Sequence, residues 1–173
     1  HFNLVTGGLG ERYEILQLDK TPYPCCRSAH GAIDGALRLR EHNLTADGIE
    51  KITVKTYKVG YMQVGCSDTS LNPKLPSDAK FSTPYCVACA ILDGGVGLEQ
   101  FEPAMIARPE ARAMLQKVTV EADDVFTGRY PKNWGCRMDV AMKDGAADSL
   151  EVPDASGSVN APMSAEGVMD KAV

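Results

Sequence analysis

The spacing of apolar residues along the chain switches between two periods, and each period predicts a different element. Apolar and polar residues alternate in four stretches, which are predicted to be β-strands: residues 12–18, 49–59, 117–122 and 136–143. Helical spacing is found in residues 28–42, with Ser28 as the predicted N-cap, and in residues 108–116. Residues 61–77 and 123–135 show no firm period, and residues 146–162 are predicted to be a loop. Ser164 is predicted to cap a short final helix.

Residues 85–92 differ from the other helical stretches because every one of them is apolar or tyrosine. Ser82 is the predicted cap, Pro84 suits the first turn, and Gly94 is expected to end the helix. A helix with no polar face has nothing to present to water, so it is expected to lie at the centre of the core. Ala88, in the middle of it, is predicted to be fully buried.

The strand predicted at residues 49–59 has Ile52 and Val54 on one face and Lys51 and Lys55 on the other. A strand that is solvated on one side is typical of antiparallel sheets. The sequence therefore predicts an α+β fold: a two-layer sandwich with a mostly antiparallel sheet of about four strands and helices packed on one face. Residues 1–173 are expected to form a single domain of this kind.

Composition narrows the class of protein. The chain has 173 residues, of which 44% are hydrophobic and 24% charged, as in soluble globular proteins. A net charge of −5 argues against nucleic acid as the main partner, since such domains usually carry a basic excess. No apolar run approaches the length of a membrane span, so we expect no membrane partner. The cysteines, which are predicted to be reduced, favour a cytoplasmic location.

The six cysteines are predicted to be reduced and structural. Cys25 and Cys26 are adjacent, and Cys86 and Cys89 lie in the apolar helix, where a free cysteine behaves as a small hydrophobic residue. An alternative is a dithiol redox site at Cys86 and Cys89, which would require an exposed thiol. A zinc site that joins Cys25 and Cys26 to a further cysteine is less favoured, because no second pair stands at ligand spacing.

Residues 19–41 combine a conformationally restricted segment with the N-terminus of a predicted helix. Two prolines fix the backbone between Lys20 and Arg27, and the free N–H groups at the start of a helix favour anions. This arrangement could hold a carboxylate, and it is equally typical of an ordinary loop-to-helix junction. His30 shares a helical face with Asp34, Arg38 and Glu41, which predicts a solvated face.

Three motifs in a fixed order carry a resemblance to a known family. They are K-x-x-x-P-C-C-x-x-x-H from Lys20 to His30, F-S-x-P-Y-x-V-A-x-A-x-L-D-G from Phe81 to Gly94, and P-M-S-A-E followed by a lysine near the end. In this order they resemble the C-terminal domain of the MmgE/PrpD family. That family includes 2-methylcitrate dehydratase, cis-aconitate decarboxylase and iminodisuccinate epimerase.

The resemblance implies a catalytic site shared with a large all-helical N-terminal domain, which this chain lacks. It assigns the lysine of the first motif to Lys20, the tyrosine of the second to Tyr85 and, less strongly, the histidine of the first to His30. The implied chemistry is proton abstraction next to a carboxylate, followed by elimination or epimerisation. A lysine charge and a tyrosine donor suit the electron density that the carboxylate gains. No cofactor and no metal are implied.

The expected partners are a small di- or tricarboxylate substrate, the helical domain of the same enzyme and, when the enzyme is complete, a second copy in a homodimer. Both ends of the chain are interpreted as cut, residues 1–12 as a linker, and the isolated 173 residues as inactive. Without the family, Lys20 would be a solvated loop lysine and Tyr85 a core aromatic. The alternative function is a separately made, non-catalytic domain that binds a partner protein or a small carboxylate.

Overall fold

The computed structural model describes residues 6–11, 13–42 and 44–172. The strands are β1 (Ile49–Thr56), β2 (Val118–Ala122), β3 (Cys136–Met142) and β4 (Ala147–Val152). The α-helices are α1 (His30–Glu41), α2 (Lys58–Val64), α3 (Asp68–Leu71), α4 (Pro76–Lys80), α5 (Thr83–Asp93), α6 (Pro103–Ala107), α7 (Pro109–Leu115), α8 (Asp124–Arg129) and α9 (Ala165–Ala172). Single 3-10 turns lie at Glu14–Gln17, Arg27–Ala29 and Glu99–Phe101.

The four strands form one sheet in the order β2-β1-β3-β4. β1 runs antiparallel to β3, and β3 runs antiparallel to β4. β2 is the exception, because it lies parallel to β1 after the long helical crossover from α2 to α7. The α+β class, the number of strands and the mostly antiparallel sheet are therefore confirmed.

One face of the sheet supplies the core. Ile52 and Val54 of β1, Val120 of β2, and Met138 and Val140 of β3 are buried. The opposite face carries charged residues, including a Lys55–Asp139 ion pair of 2.9 Å. Burial on one side only is what the alternating pattern predicts, and the helices pack on that buried side.

Helices α1 and α5 pack against each other in the helical layer. Every residue of α5 from Thr83 to Ile91 is buried, so its predicted central position is confirmed. The Ser82 hydroxyl accepts a hydrogen bond from the Tyr85 amide at 3.1 Å, and Gly94 ends the helix with φ of 74°. The left-handed conformation explains why glycine stands at this position.

The strand predicted at residues 12–18 is wrong. Arg12 lies outside the described residues, and Glu14–Gln17 form a 3-10 turn instead. The side chains of Ile15 and Leu18 are 73% and 64% exposed, so they point to solvent and not into the core. A short alternating run becomes a strand only where a neighbouring strand pairs with it, and residues 13–18 pair with none of the described strands.

The fourth strand comes instead from residues 146–162, where a loop was predicted. β4 follows the turn at Asp144 and Gly145, where Gly145 has φ of 88°, and pairs with β3. Its inward residues are mostly half-buried, because it forms the edge of the sheet. An edge strand of this kind carries little hydrophobic signal.

The first half of the chain contains short helices that the sequence did not predict, and one expectation there is wrong. Residues 61–77, which show no firm period, contain the end of α2, α3 and the start of α4. These helices are too short to show a period and are held by local caps, such as the Ser67 hydroxyl that accepts from the Ser70 amide at 3.1 Å. Ser28 does not cap α1: it lies in a 3-10 turn and donates to the side chain of Gln63 at 2.8 Å.

Within the described part of the chain, none of the helices has both the length and the apolar character needed to cross a bilayer. The linker predicted at residues 1–12 lies in part outside the described residues, which omit 1–5 and 12. Whether residues 1–173 act as one independent domain stays a prediction.

Candidate active site

Lys20 is held by its backbone, while its side chain is exposed. Its amide donates to the carbonyl of Gly157 at 2.7 Å. Gly157 has φ of 83°, and a Cβ at this position would collide with the carbonyl of Lys20. Only glycine allows this approach, so a turn near the C-terminus fixes the main chain of Lys20.

Lys20 lines a surface cleft of about 290 Å³. Lys171 of α9 lines the same cleft and donates to the carbonyl of Thr21. Asp19 is the acidic residue of this lining, and Met163 and Val168 supply an apolar wall. Two ammonium groups beside one carboxylate give the cleft a positive balance, which suits a small anion.

A larger hollow of about 740 Å³ lies next to the cleft and shares Asp19 with it. Trp134 and Asp154 also line this hollow. Burial opposes ionisation of Asp154, but hydrogen bonds from Asn160 and from the Trp134 amide outweigh it and lower the pKa of the carboxyl group. Asp154 therefore organises the wall of the hollow and has little capacity left for a ligand.

Arg27 connects the cleft lined by Lys20 with the larger hollow lined by Trp134 and Asp154. Its guanidinium donates to the carbonyl of Ser156 at 2.7 Å and to Asp19 at 3.3 Å, and it lies 6.0 Å from the ring centre of Trp134. Its Nε is buried without a hydrogen-bond partner among the described residues. The arginine thus holds the loop that carries Lys20 against the segment that carries Asp154.

His30 is fully buried, so the predicted solvated face is wrong at this residue. Its Nδ1 lies 3.3 Å from an N–H group of Arg27, and its Nε2 lies 3.2 Å from the carbonyl of Cys25. An arginine can only donate and a carbonyl can only accept. Nδ1 is therefore placed to accept and Nε2 to donate, so both ring nitrogens are used within the chain.

Asp34, one turn further along α1, is buried as well, against the same prediction. Its carboxylate accepts from the Tyr23 hydroxyl at 2.6 Å and from the Ser156 amide at 2.7 Å. The solvated-face prediction fails because the loop before α1 and the segment after β4 both cover this side of the helix. A buried carboxylate is tolerated here because both of its oxygens are hydrogen-bonded.

Tyr85 is also fully buried, and its hydroxyl donates to the carbonyl of Gln100. Burial raises the pKa of this phenol, so it stays protonated. Tyr85 is not part of the lining of the cleft that Lys20 shares with Lys171. The structure thus brings Lys20 together with Lys171 and His30 together with Arg27, while Tyr85 lies in the core. Their catalytic roles stay predictions.

Cys86 and Cys89 are both fully buried, which removes the exposed thiol that the dithiol alternative requires. Burial raises the pKa of Cys89 to about 11. Over residues 6–11, 13–42 and 44–172, no group of three or more potential ligand residues is placed to hold a metal ion.

Residue patterns did not single out Asp34 or Asp154 as organising groups, because their partners are remote in sequence. Arg27 and Lys171 lie within the motifs that carry the family resemblance, and this position is the one feature of the sequence that could have marked them as functional. Position along the chain could not show that the two residues belong to one surface. That surface forms only when α9 and the turn at residues 155–161 return to the segment before α1.

Comparison with known proteins gives a family match that covers most of the chain. The family model described as MmgE/PrpD C-terminal domain matches residues 23–173. Cis-aconitate decarboxylase of Mus musculus is 24% identical over 156 residues, which cover 86% of this chain and 30% of that protein. The Homo sapiens protein of the same name is 28% identical over 159 residues, which cover 86% of this chain and 31% of that protein. The chain thus spans about 30% of the length of these relatives.

Proposed function

The chain belongs to the MmgE/PrpD C-terminal domain family, and on that premise we propose that it is the C-terminal part of an enzyme of the lyase or isomerase type. The match over residues 23–173 carries the proposal. The substrate class is a small di- or tricarboxylate, and the reaction begins with proton abstraction next to a carboxylate. The relatives in mouse and human are named for the decarboxylation of cis-aconitate, which is a tricarboxylate.

The cleft of Lys20 and Lys171 supports this substrate class. When a proton leaves the carbon next to a carboxylate, negative charge accumulates on the carboxylate oxygens. The fixed backbone of Lys20 limits the reorganisation that its ammonium group needs in order to reach that charge. We therefore propose that Lys20 contacts the substrate carboxylate and that Lys171 adds positive charge beside it.

The rest of the reaction is proposed to depend on residues outside this chain. A helical domain of the same enzyme would supply the base and close over the cleft, and the complete enzyme would act as a homodimer in the cytoplasm. Large apolar side chains in residues 9–18, namely Leu9, Tyr13, Ile15 and Leu18, are each at least 60% exposed, which supports contact with another body. A polar surface there would instead favour the non-catalytic alternative.

His30 and Tyr85 remain the two further candidates that the resemblance provides. For either of them to act on a substrate, the hydrogen bonds to Arg27, Cys25 or Gln100 would have to break. We therefore expect Tyr85→Phe to lower kcat less than Lys20→Ala, because it removes a hydroxyl and leaves the ring in the core.

The test uses the complete enzyme that contains these residues, assayed with cis-aconitate, 2-methylcitrate and iminodisuccinate. We expect one of the three to be turned over, and Lys20→Ala to lower kcat about 100-fold, the scale for loss of one charge-stabilising donor. Lys143→Ala, at the exposed turn between β3 and β4, is the matched control and should leave kcat unchanged.

Two results would contradict the proposal. In the first, the complete protein turns over none of the three acids, while the isolated 173 residues bind one of them. This result would favour the non-catalytic domain. The second is an unchanged kcat/KM in Lys20→Ala. Full activity of the 173 residues alone would remove the need for a second domain.

A further inference from the structure

The turn at residues 155–161 lies between the buried part of α1 and the segment that carries Lys20. On one side, the amide of Ser156 donates to the carboxylate of Asp34 at 2.7 Å. On the other side, the carbonyl of Gly157 accepts from the amide of Lys20 at 2.7 Å. Ser156 and Gly157 are adjacent in sequence, so a single peptide unit separates the contact with α1 from the contact with Lys20.

This turn has little freedom of its own. Within it, the amide of Gly157 donates to the carbonyl of Ala161 at 2.8 Å, and the amide of Ser158 donates to the carbonyl of Ala155 at 3.2 Å. Ala155, Gly157 and Ser158 are buried. Because the turn is hydrogen-bonded internally and packed, a displacement at its contact with Asp34 also displaces the carbonyl that holds the main chain of Lys20.

We propose that Asp34 and Gly157 are positioning residues for Lys20 in the reaction. Neither belongs to the lining of the cleft that Lys20 shares with Lys171, so they act on the substrate only through the lysine. The ammonium group is carried by a flexible side chain, and the position of its Cα limits the points that it reaches. A misplacement of about 1 Å can cost about 100-fold in rate. This inference rests on the proposed function, in which Lys20 contacts the substrate carboxylate.

Gly157→Ala in the complete enzyme is the direct test. Gly157 has φ of 83°, and the added Cβ would collide with the carbonyl of Lys20 and lie 3.1 Å from Cδ of Pro22, so the main chain there must move. We expect kcat to fall about 10-fold. The loss is smaller than the roughly 100-fold expected for Lys20→Ala, because a flexible side chain recovers part of the displacement.

Gly145→Ala is the matched control. Gly145 has φ of 88°, so alanine is strained there to a similar extent. Among the described residues, no atom beyond its chain neighbours lies within 4 Å of the added Cβ, and the turn between β3 and β4 does not contact Lys20. This variant should leave kcat unchanged.

A double variant separates positioning from a general effect on the fold. If Gly157 acts through Lys20, its effect disappears once the ammonium group is removed. Lys20→Ala combined with Gly157→Ala should then be about 100-fold slower than the wild type, as Lys20→Ala is alone. Two independent effects would instead multiply to about 1,000-fold.

Asp34 is tested by a conservative change and a truncation. In Asp34→Asn, the amide oxygen can still accept from Ser156 and the NH₂ group can donate to the hydroxyl oxygen of Tyr23, so kcat should stay within about twofold of the wild type. Asp34→Ala leaves the Ser156 amide without this acceptor and should lower kcat about 5-fold in enzyme that is folded by circular dichroism. Arg27 still holds the Ser156 carbonyl, so the loss is smaller than in Gly157→Ala.

Hydrogen exchange of the Lys20 amide measures the geometry independently of activity. In the complete enzyme, this amide should exchange faster in Gly157→Ala and in Asp34→Ala than in the wild type, because its acceptor is displaced. It should exchange at the wild-type rate in Gly145→Ala and in Asp34→Asn. Equal exchange in all five proteins would overturn the positioning role.

The kinetic results distinguish this inference from the proposed function. An unchanged kcat in Lys20→Ala would contradict the proposed function and this inference with it. A slow Lys20→Ala together with an unaffected Gly157→Ala, or independent effects in the double variant, would overturn the positioning role alone. If Gly157→Ala fails to fold, the two Asp34 variants decide: a loss confined to Asp34→Ala supports the role, and equal kcat in both overturns it.

Discussion

Helices α1 and α5 lie side by side and are both largely buried, but they are stabilised in different ways. From Thr83 to Ile91, α5 is buried throughout and presents mainly apolar side chains to its surroundings. α1 buries His30 and Asp34, each of which needs a particular partner from a distant loop. α5 is held by non-directional burial, whereas α1 adds specific hydrogen bonds to the burial of its apolar residues Ala32, Ile33, Ala36 and Leu39. The comparison shows that the sequence pattern predicts the burial of apolar residues, but not the burial of polar residues that depend on a hydrogen-bond partner from a distant segment.

The largest expected effect concerns the apolar helix. Ala88→Asp in α5 would place a carboxylate where Ala88 is fully buried within the hydrophobic core cluster. An unpaired buried charge costs several kcal/mol, enough to prevent folding of a domain of ordinary stability. Circular dichroism and thermal melting should show no cooperative transition.

The matched control is Ala104→Asp, at an exposed alanine in the first turn of α6. This variant should melt cooperatively near the wild-type temperature, since acidic residues are tolerated or favoured at a helix N-terminus. A cooperatively folded Ala88→Asp would mean that α5 is not the centre of the core.

The same contrast explains what the sequence could and could not predict. Burial of Ala88 followed from local composition, and three strands followed from alternation. β4 did not, because an edge strand of mainly polar residues carries a weak pattern. The environment of Asp34 was not accessible either, since its partner amide at Ser156 lies 122 positions away.

The candidate site divides in a similar way. Lys20 was identified by its motif, and its exposed side chain agrees with an ordinary loop lysine as well as with a ligand contact. The fixed backbone of Lys20 depends on Gly157, which the sequence reading placed in a loop. His30 was predicted to be solvated because its helical face is polar, but tertiary contacts enclose it. Polar periodicity indicates solvent only when no other segment covers it.

The polar helix is tested by Asp34→Ala. The change leaves the Tyr23 hydroxyl and the Ser156 amide without their acceptor, and hydrogen bonds to a charged group contribute about 1.5–3 kcal/mol. We expect the free energy of unfolding in urea to fall by about 2–4 kcal/mol. Asp47→Ala, at an exposed aspartate, should change it by less than about 0.5 kcal/mol. Equal values for both variants would show that the network around α1 contributes nothing.

A smaller effect separates two buried tyrosines. The hydroxyl of Tyr23 donates to Asp34, whereas that of Tyr57 is buried without a hydrogen-bond partner among the described residues. Tyr23→Phe should therefore destabilise the protein by about 1–3 kcal/mol, and Tyr57→Phe should be neutral or slightly stabilising. Urea unfolding at pH 7 measures both, and the opposite order would contradict the assignment of partners.

The same tyrosines predict how stability depends on pH. Burial is the largest cause that raises the pKa of Tyr23, Tyr57 and Tyr85. Above pH of about 10 the unfolded chain releases phenolic protons that the folded chain retains, so stability falls as pH rises beyond this value. Tyr57→Phe removes one of these groups and should make the fall less steep. An unchanged slope would mean that Tyr57 ionises as readily in the folded protein.

The smallest expected change in stability is at Lys20, and it distinguishes a functional lysine from a structural one. The ammonium of Lys117 donates to the carbonyls of Ala46 and Ile49 at 2.9 and 2.7 Å, so Lys117→Ala should cost about 1–2 kcal/mol. The side chain of Lys20 is exposed, and the contact that fixes this residue is made by its backbone, which Lys20→Ala retains. We expect Lys20→Ala to change the free energy of unfolding by less than about 0.5 kcal/mol, although kcat of the complete enzyme falls. A Lys20→Ala variant that is destabilised as much as Lys117→Ala would indicate that the lysine serves the fold and not the substrate.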